Sequence, residues 1–140
     1  MTTVLADWHQ GLMVSDSNVS DTDRHWTQRK VFRIRGALVG IAGTMVQAEQ
    51  FLAWYRKGCE DKPPKMDEMS ALVMSMDGLL HYQAGHIPMP VPTGREAIGS
   101  GAKAAMVGYE LLGWKDPKRV VTVVCHHDAN SRAPVRIYRL

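Results

Sequence analysis

The sequence predicts an α+β fold in which helices pack on antiparallel sheets. Short apolar or alternating runs of strand length fill residues 2–43, and a second such set spans 70–84. The period changes to that of a helix in one segment, 44–58, and again in two successive segments between 100 and 127. Runs of strands followed by runs of helices, closed by a last short strand, suggest layers of helix on sheet. The 140 residues fit one domain, 1–140, long enough to bury a core.

In chain order, "TTVLADWH" and "GLMVSDSNVS" read as a hairpin with its turn at Gln10-Gly11, and "RKVFRIRG" with "ALVGIAG" as a second pair bent at Gly36. "TMVQAEQFLAWYRKG" reads as a helix. Thr44 and Gln47 have capping-box spacing, Met45, Ala48, Leu52 and Tyr55 share a face, and Gly58 ends it. "CEDKPPKMDEM" is a loop. "SALVMSMDGLLHYQA" is a hairpin around Asp77-Gly78. "GHIPMPVPTGRE" is extended and proline-rich. "GSGAKAAMVGYELLG" is a helix from near Ser100 to Gly113. "DPKRVVTVVCHHD" is a helix despite its valines, because Asp116 can cap it and Pro117 suits its first position. "APVRIYRL" is the closing strand.

Composition removes several classes. Apolar content of 45% and charged content of 22% are ordinary for a soluble globular chain. The net charge of +3 is small and scattered, so no nucleic-acid partner is implied. No apolar stretch approaches the ~20 residues of a membrane span, and the N-terminal sequence lacks a secretory pattern. Cys59 and Cys125 make no disulfide framework, so a cytoplasmic location is expected. "CHHD" is a poor metal site on a helix, where adjacent side chains diverge by ~100°. His81 and His86 also lack ligand spacing. Neither a metal nor a cofactor is expected. The nine methionines read as core filler, and Trp54 and Tyr55 as packing or a subunit contact.

Two charges break the strand pattern. Asp16 follows the apolar positions Leu12 and Val14 at period two, and Lys30 precedes Phe32 and Ile34 likewise. Two readings fit: the two charges face each other, or both sit at strand ends in water. In a buried pair, removing Lys30 would leave Asp16 uncompensated at a cost of ~3–5 kcal/mol. Thr2 adds to this. A small residue behind Met1 permits removal of the initiator, leaving a hydroxyl nucleophile beside a free amine. That amine would titrate near ~7.7–8.0, suited to a general base at neutral pH.

These residues, in this order, resemble the proteasome β-subunit family and its bacterial homologue HslV. The matching features are Thr2 in "MTTV", Asp16 in "MVSDS", Lys30 in "RKVFRI", Gly40 in "LVGIAG", Ser100 in "AIGSGAKAA", and Asp128 with Ser131 in "DANSRAPV". The resemblance implies a four-layer αββα sandwich of the N-terminal nucleophile hydrolases. The short stretch between Gly58 and Ser70 implies a shortened helical layer. Arg132 and Ala133 stand where the family usually has two glycines.

The implied activity is that of a threonine peptidase in a homo-oligomeric, self-compartmentalising ring acting on peptides or unfolded protein, with a possible ATP-dependent unfoldase as partner. Thr2 is the implied nucleophile, and Lys30, placed by Asp16, stabilises its alkoxide. The Gly40 N–H holds the oxyanion, and Ser100, Asp128 and Ser131 support the amine. The rival readings are a catalytically silent assembly module and an amidohydrolase of small amides.

Overall fold

The computed structural model describes residues 2–21, 24–84 and 87–140, with the backbone alone for Ser20 and Asp21. Met1 and His86, which figure in the sequence reading, lie outside the described residues. The elements are β1 (Thr3–Asp7), β2 (Leu12–Ser15), β3 (Asn18–Asp21), β4 (Arg24–Thr27), β5 (Val31–Ile34), β6 (Ala37–Gly43) and α1 (Met45–Arg56). They continue with β7 (Met69–Ser75), β8 (Gly78–Tyr82), β9 (Met89–Pro90), β10 (Arg95–Gly99), α2 (Ala102–Leu111), α3 (Pro117–His127) and β11 (Arg136–Arg139).

Two antiparallel sheets form the centre. One has the order β10-β1-β2-β11 and the other β5-β6-β7-β8-β9, while β3 and β4 pair as a separate hairpin. Three apolar layers follow from strand parity. Val4, Ala6 and Met13 meet Leu38, Leu72 and Met74 between the sheets. Leu5 and Val14, one residue out of phase, pack under α2 and α3 against Tyr109, Val121 and Val124. Val39, Ile41, Ala71 and Val73 pack against Phe51 and Leu52 of α1. Both faces of the central strands are covered, so they read as continuous apolar runs. The result is an αββα sandwich with α1 the one helix on its side among the described residues, which is the shortened layer anticipated above.

Details of the sequence reading change. "GLMVSDSNVS" is not one strand: the ladder breaks at Asp16-Ser17, and Asn18 begins the β3–β4 hairpin. "REAIG" is the strand β10, the partner of β1, and α2 starts only at Ala102. Thr44 makes no side-chain cap. Gln47 instead reaches the loop before β7, donating to Asp67 at 2.6 Å and accepting from the Glu68 N–H at 2.9 Å. The buried face of α1 is therefore Gln47, Ala48, Phe51 and Leu52, and Met45 is exposed. Trp54 and Tyr55 pack against the core around Phe51. Asp116 does cap α3, accepting from the Arg119 N–H.

Candidate active site

The start of β1 is held by α2 and α3 on one side and by the turn after β2 on the other. Thr2 and Asp16 are fully buried. The Thr2 hydroxyl donates to Asp16 Oδ1, and the Thr3 N–H donates to the same oxygen at 3.0 Å. Asp16 Oδ2 accepts from the Asn18 N–H at 3.0 Å and the Arg132 N–H at 3.1 Å. One hydroxyl and three backbone amides thus hold this carboxylate. The Arg132 that replaces the expected glycine serves through its backbone, which any residue could supply.

A second cluster adjoins the first. The Thr3 hydroxyl lies 2.7 Å from Ser131 Oγ, and Ser131 donates to Asp128 Oδ2 at 2.5 Å. Ser100 donates to the same carboxylate oxygen at 2.6 Å. Burial pulls the Asp128 carboxyl upward, but the Ser100 and Ser131 hydroxyls and the Asn130 N–H outweigh it, and the group sits below its ordinary range. A depressed carboxyl contributes stability above the unfolded value and loses it as the pH falls through the folded one. In Ser100→Ala/Ser131→Ala, Asp128 is expected to titrate at higher pH than in wild type. The stability deficit of that variant should be largest at neutral pH and vanish in acid. Carboxyl NMR titration with thermal unfolding against pH checks both, and an unmoved Asp128 titration would remove the serines from its support.

The glycines flanking Ser100 permit this approach. A Cβ at position 99 would overlap the Thr2 carbonyl, and one at position 101 would overlap the Thr3 hydroxyl. Gly99 also has φ near +97°, a conformation that glycine takes without strain. "GSG" is therefore a docking edge for the threonines as well as a helix start.

Lys30 stands elsewhere. Parity puts it on the α1 side with Phe32 and Ile34, whereas Asp16 continues the Val14 side under α3. The two make no ion pair within 4 Å. Burial draws the half-buried Lys30 ammonium below the usual lysine range, against the opposing attraction of Asp16. The coupling is through space, and neither sequence reading fits. Asp16 is dry but held by amides, and Lys30 looks into a cavity of about 390 Å³. Val19, Ile41, Ala48, Gly43 and Asn130 are among its other walls.

Gly40 does not occupy the position anticipated for it. It lies inside β6 between Val31 and Leu72, and a Cβ there would come 2.7 Å from Met13 Sδ and 2.8 Å from Val4 Cγ1. The Thr44 N–H donates to Glu68 O, so the even-numbered N–H groups here, including that of Gly40, point at β7. Odd positions point at β5. The Ile41 N–H donates to Lys30 O at 3.0 Å, and two residues on, the Gly43 N–H points past the beginning of β5. Gly43 lines the cavity beside Lys30. The sequence reading named Gly40 alone, and the register is what separates it from Gly43.

One further residue was missed in sequence. Thr3 was passed over, although the doubled threonine was visible. At Cys125, burial, with the charges of Asp16 and Asp128, pushes the thiol up to about 11 and keeps it protonated.

The layers, the β1 start and the two carboxylate clusters define the fold class. The chain has the four-layer fold of the proteasome-like N-terminal nucleophile hydrolases. Within that class its structure is HslV-like. It superposes on HslV from Trypanosoma brucei with a TM-score of 0.72 at 18% identity, covering 99% of this chain and 100% of that one. It also matches Thiobacillus denitrificans BPH, solved in complex with epoxomicin (TM-score 0.72, 14% identity, 100% and 98% covered) and alone (TM-score 0.71, 14% identity, 100% and 97% covered). No protein-family model matches the sequence, and no curated protein does. Among the described residues no helix is long and apolar enough to cross a membrane.

Proposed function

We propose that the chain is a threonine peptidase acting in the cytoplasm within a homo-oligomeric particle, on peptides or unfolded protein that an ATP-dependent unfoldase could deliver. The observation that carries this is the convergence of the buried Thr2 hydroxyl, the Asp16 carboxylate and the Ser131–Asp128–Ser100 chain at the start of β1. Removal of Met1 frees the Thr2 amine. Asp16 orients the Thr2 hydroxyl, whose oxygen attacks the substrate carbonyl. The amine takes the hydroxyl proton, directly or through a water held by Ser100 and Ser131. Lys30 supplies positive potential that favours the alkoxide. The Gly43 N–H receives the developing oxyanion. Collapse expels the amine half of the substrate, which takes the proton, and leaves an ester on Thr2. Water, activated by the same amine, then hydrolyses that ester.

The structural likeness to BPH, which binds epoxomicin, supplies the probe. Intact-mass measurement should show a chain lacking Met1 that gains one epoxomicin and thereby loses peptide hydrolysis. Thr2→Ala should gain none. Full hydrolysis by a chain that retains Met1 would overturn the mechanism. A processed chain that takes no label and cleaves no peptide would point to an assembly module, and cleavage of small amides alone to an amidohydrolase.

A further inference from the structure

The mechanism above uses Thr2 and leaves Thr3 idle, yet Thr3 is the residue with bonds in both clusters. It is fully buried. Its N–H donates at 3.0 Å to Asp16 Oδ1, the oxygen that also receives the Thr2 hydroxyl. Its own hydroxyl lies 2.7 Å from Ser131 Oγ. A serine hydroxyl carries one proton, and that of Ser131 is committed to Asp128. Thr3 is therefore the donor to Ser131. The protons run in one sense, from Thr3 to Ser131 to Asp128, with Ser100 donating to the same carboxylate from the other side. Gly101 leaves room for the Thr3 hydroxyl, since a Cβ there would overlap it.

We propose that Thr3 is a positioning residue that ties Asp16, by its N–H, to the Ser131–Asp128–Ser100 chain, by its hydroxyl, so that nucleophile and amine support keep one spacing. This rests on the peptidase reading. Valine at position 3 retains the backbone N–H and the branched shape but removes the donor. Serine retains the donor. A site loosened in this way still binds substrate but reacts from poorer geometry.

The test uses the processed full-length chain and Thr3→Val, Thr3→Ser, Ser131→Ala and Thr3→Val/Ser131→Ala. One fluorogenic peptide gives kcat and KM, and amide hydrogen exchange is followed at Arg132. Thr3→Val should lower kcat about tenfold with KM within about twofold of wild type, a loss confined to the reacting geometry. Thr3→Ser should recover most of kcat. The double variant should be little worse than the worse single one, as for residues acting in one chain. Exchange at Arg132 should quicken in Thr3→Val. A wild-type kcat in Thr3→Val, multiplying losses in the double variant, or a Thr3→Ser as poor as Thr3→Val would overturn the proposal. If wild type neither cleaves peptide nor takes epoxomicin, the peptidase reading has failed. The exchange result then decides the coupling alone, and unchanged exchange at Arg132 rejects it.

Discussion

Lys30→Met is expected to lower peptide hydrolysis ~10²–10³-fold, the usual effect of removing one electrostatic stabiliser of the reacting oxygen. Its melting temperature should stay within ~3 °C of wild type, since the stability change is well under a kilocalorie per mole. The reason lies in what surrounds the ammonium. Among the described residues Lys30 makes no ion pair within 4 Å, and burial already disfavours its charged form. Methionine keeps the apolar stem and removes the desolvated charge. A buried pair with Asp16, one of the two readings open from sequence, would instead make this variant markedly unstable. Peptide turnover and thermal unfolding on the same samples separate the two. Near-normal hydrolysis would take lysine out of the mechanism, and a fall of ~10 °C or more would restore the pair.

Asp16→Ala is expected to be the most damaging substitution to the fold, by ~3–5 kcal/mol, the range for breaking a buried charged network. It strips the acceptor from the N–H groups of Thr3, Asn18 and Arg132 and from the Thr2 hydroxyl. Each buried donor left unsatisfied costs ~1–3 kcal/mol. Asp16→Asn should lose less, because its amide oxygen can serve one pair of donors while its NH₂ opposes the other. Combined with Lys30→Met, the Asp16→Asn loss should be additive within ~0.5 kcal/mol, as for residues that do not touch. Denaturant unfolding of the singles and the double measures this. Recovery of stability in the double variant would show that the two side chains meet after all.

Much of the architecture was legible because both faces of the central strands are buried. "ALVGIAG" and "SALVMS" are continuous apolar runs between turn residues, and "MDG" marks the β7–β8 hairpin. Asp116-Pro117 at the head of α3 was a local signal that held. The strand β10 was not legible. "REAIG" is short, follows three prolines, and is a strand because β1 needs an antiparallel partner on that edge. The capping box at Thr44 also misled, because Gln47 finds better partners at Asp67 and Glu68, which are distant in sequence.

The sequence by itself determined the chemical inventory and its order: Thr2 in the doubled threonine, Asp16, Lys30, Gly40 in "LVGIAG", "GSG", and Asp128 with Ser131. Residue types and local turns are written in the chain. Tertiary structure alone decided which of them meet. Alternation says which face a side chain takes within one strand, but not which layer that face looks into. Asp16 and Lys30, alike in pattern, do not pair: Asp16 is held by backbone amides and the Thr2 hydroxyl, while Lys30 lines a separate cavity. The register between β5, β6 and β7 aims the Gly43 N–H outward and the Gly40 N–H into the ladder. Hydrogen-bond partners separated by more than a hundred residues, such as Thr3 with Ser131, exist only once β1 is docked under α3.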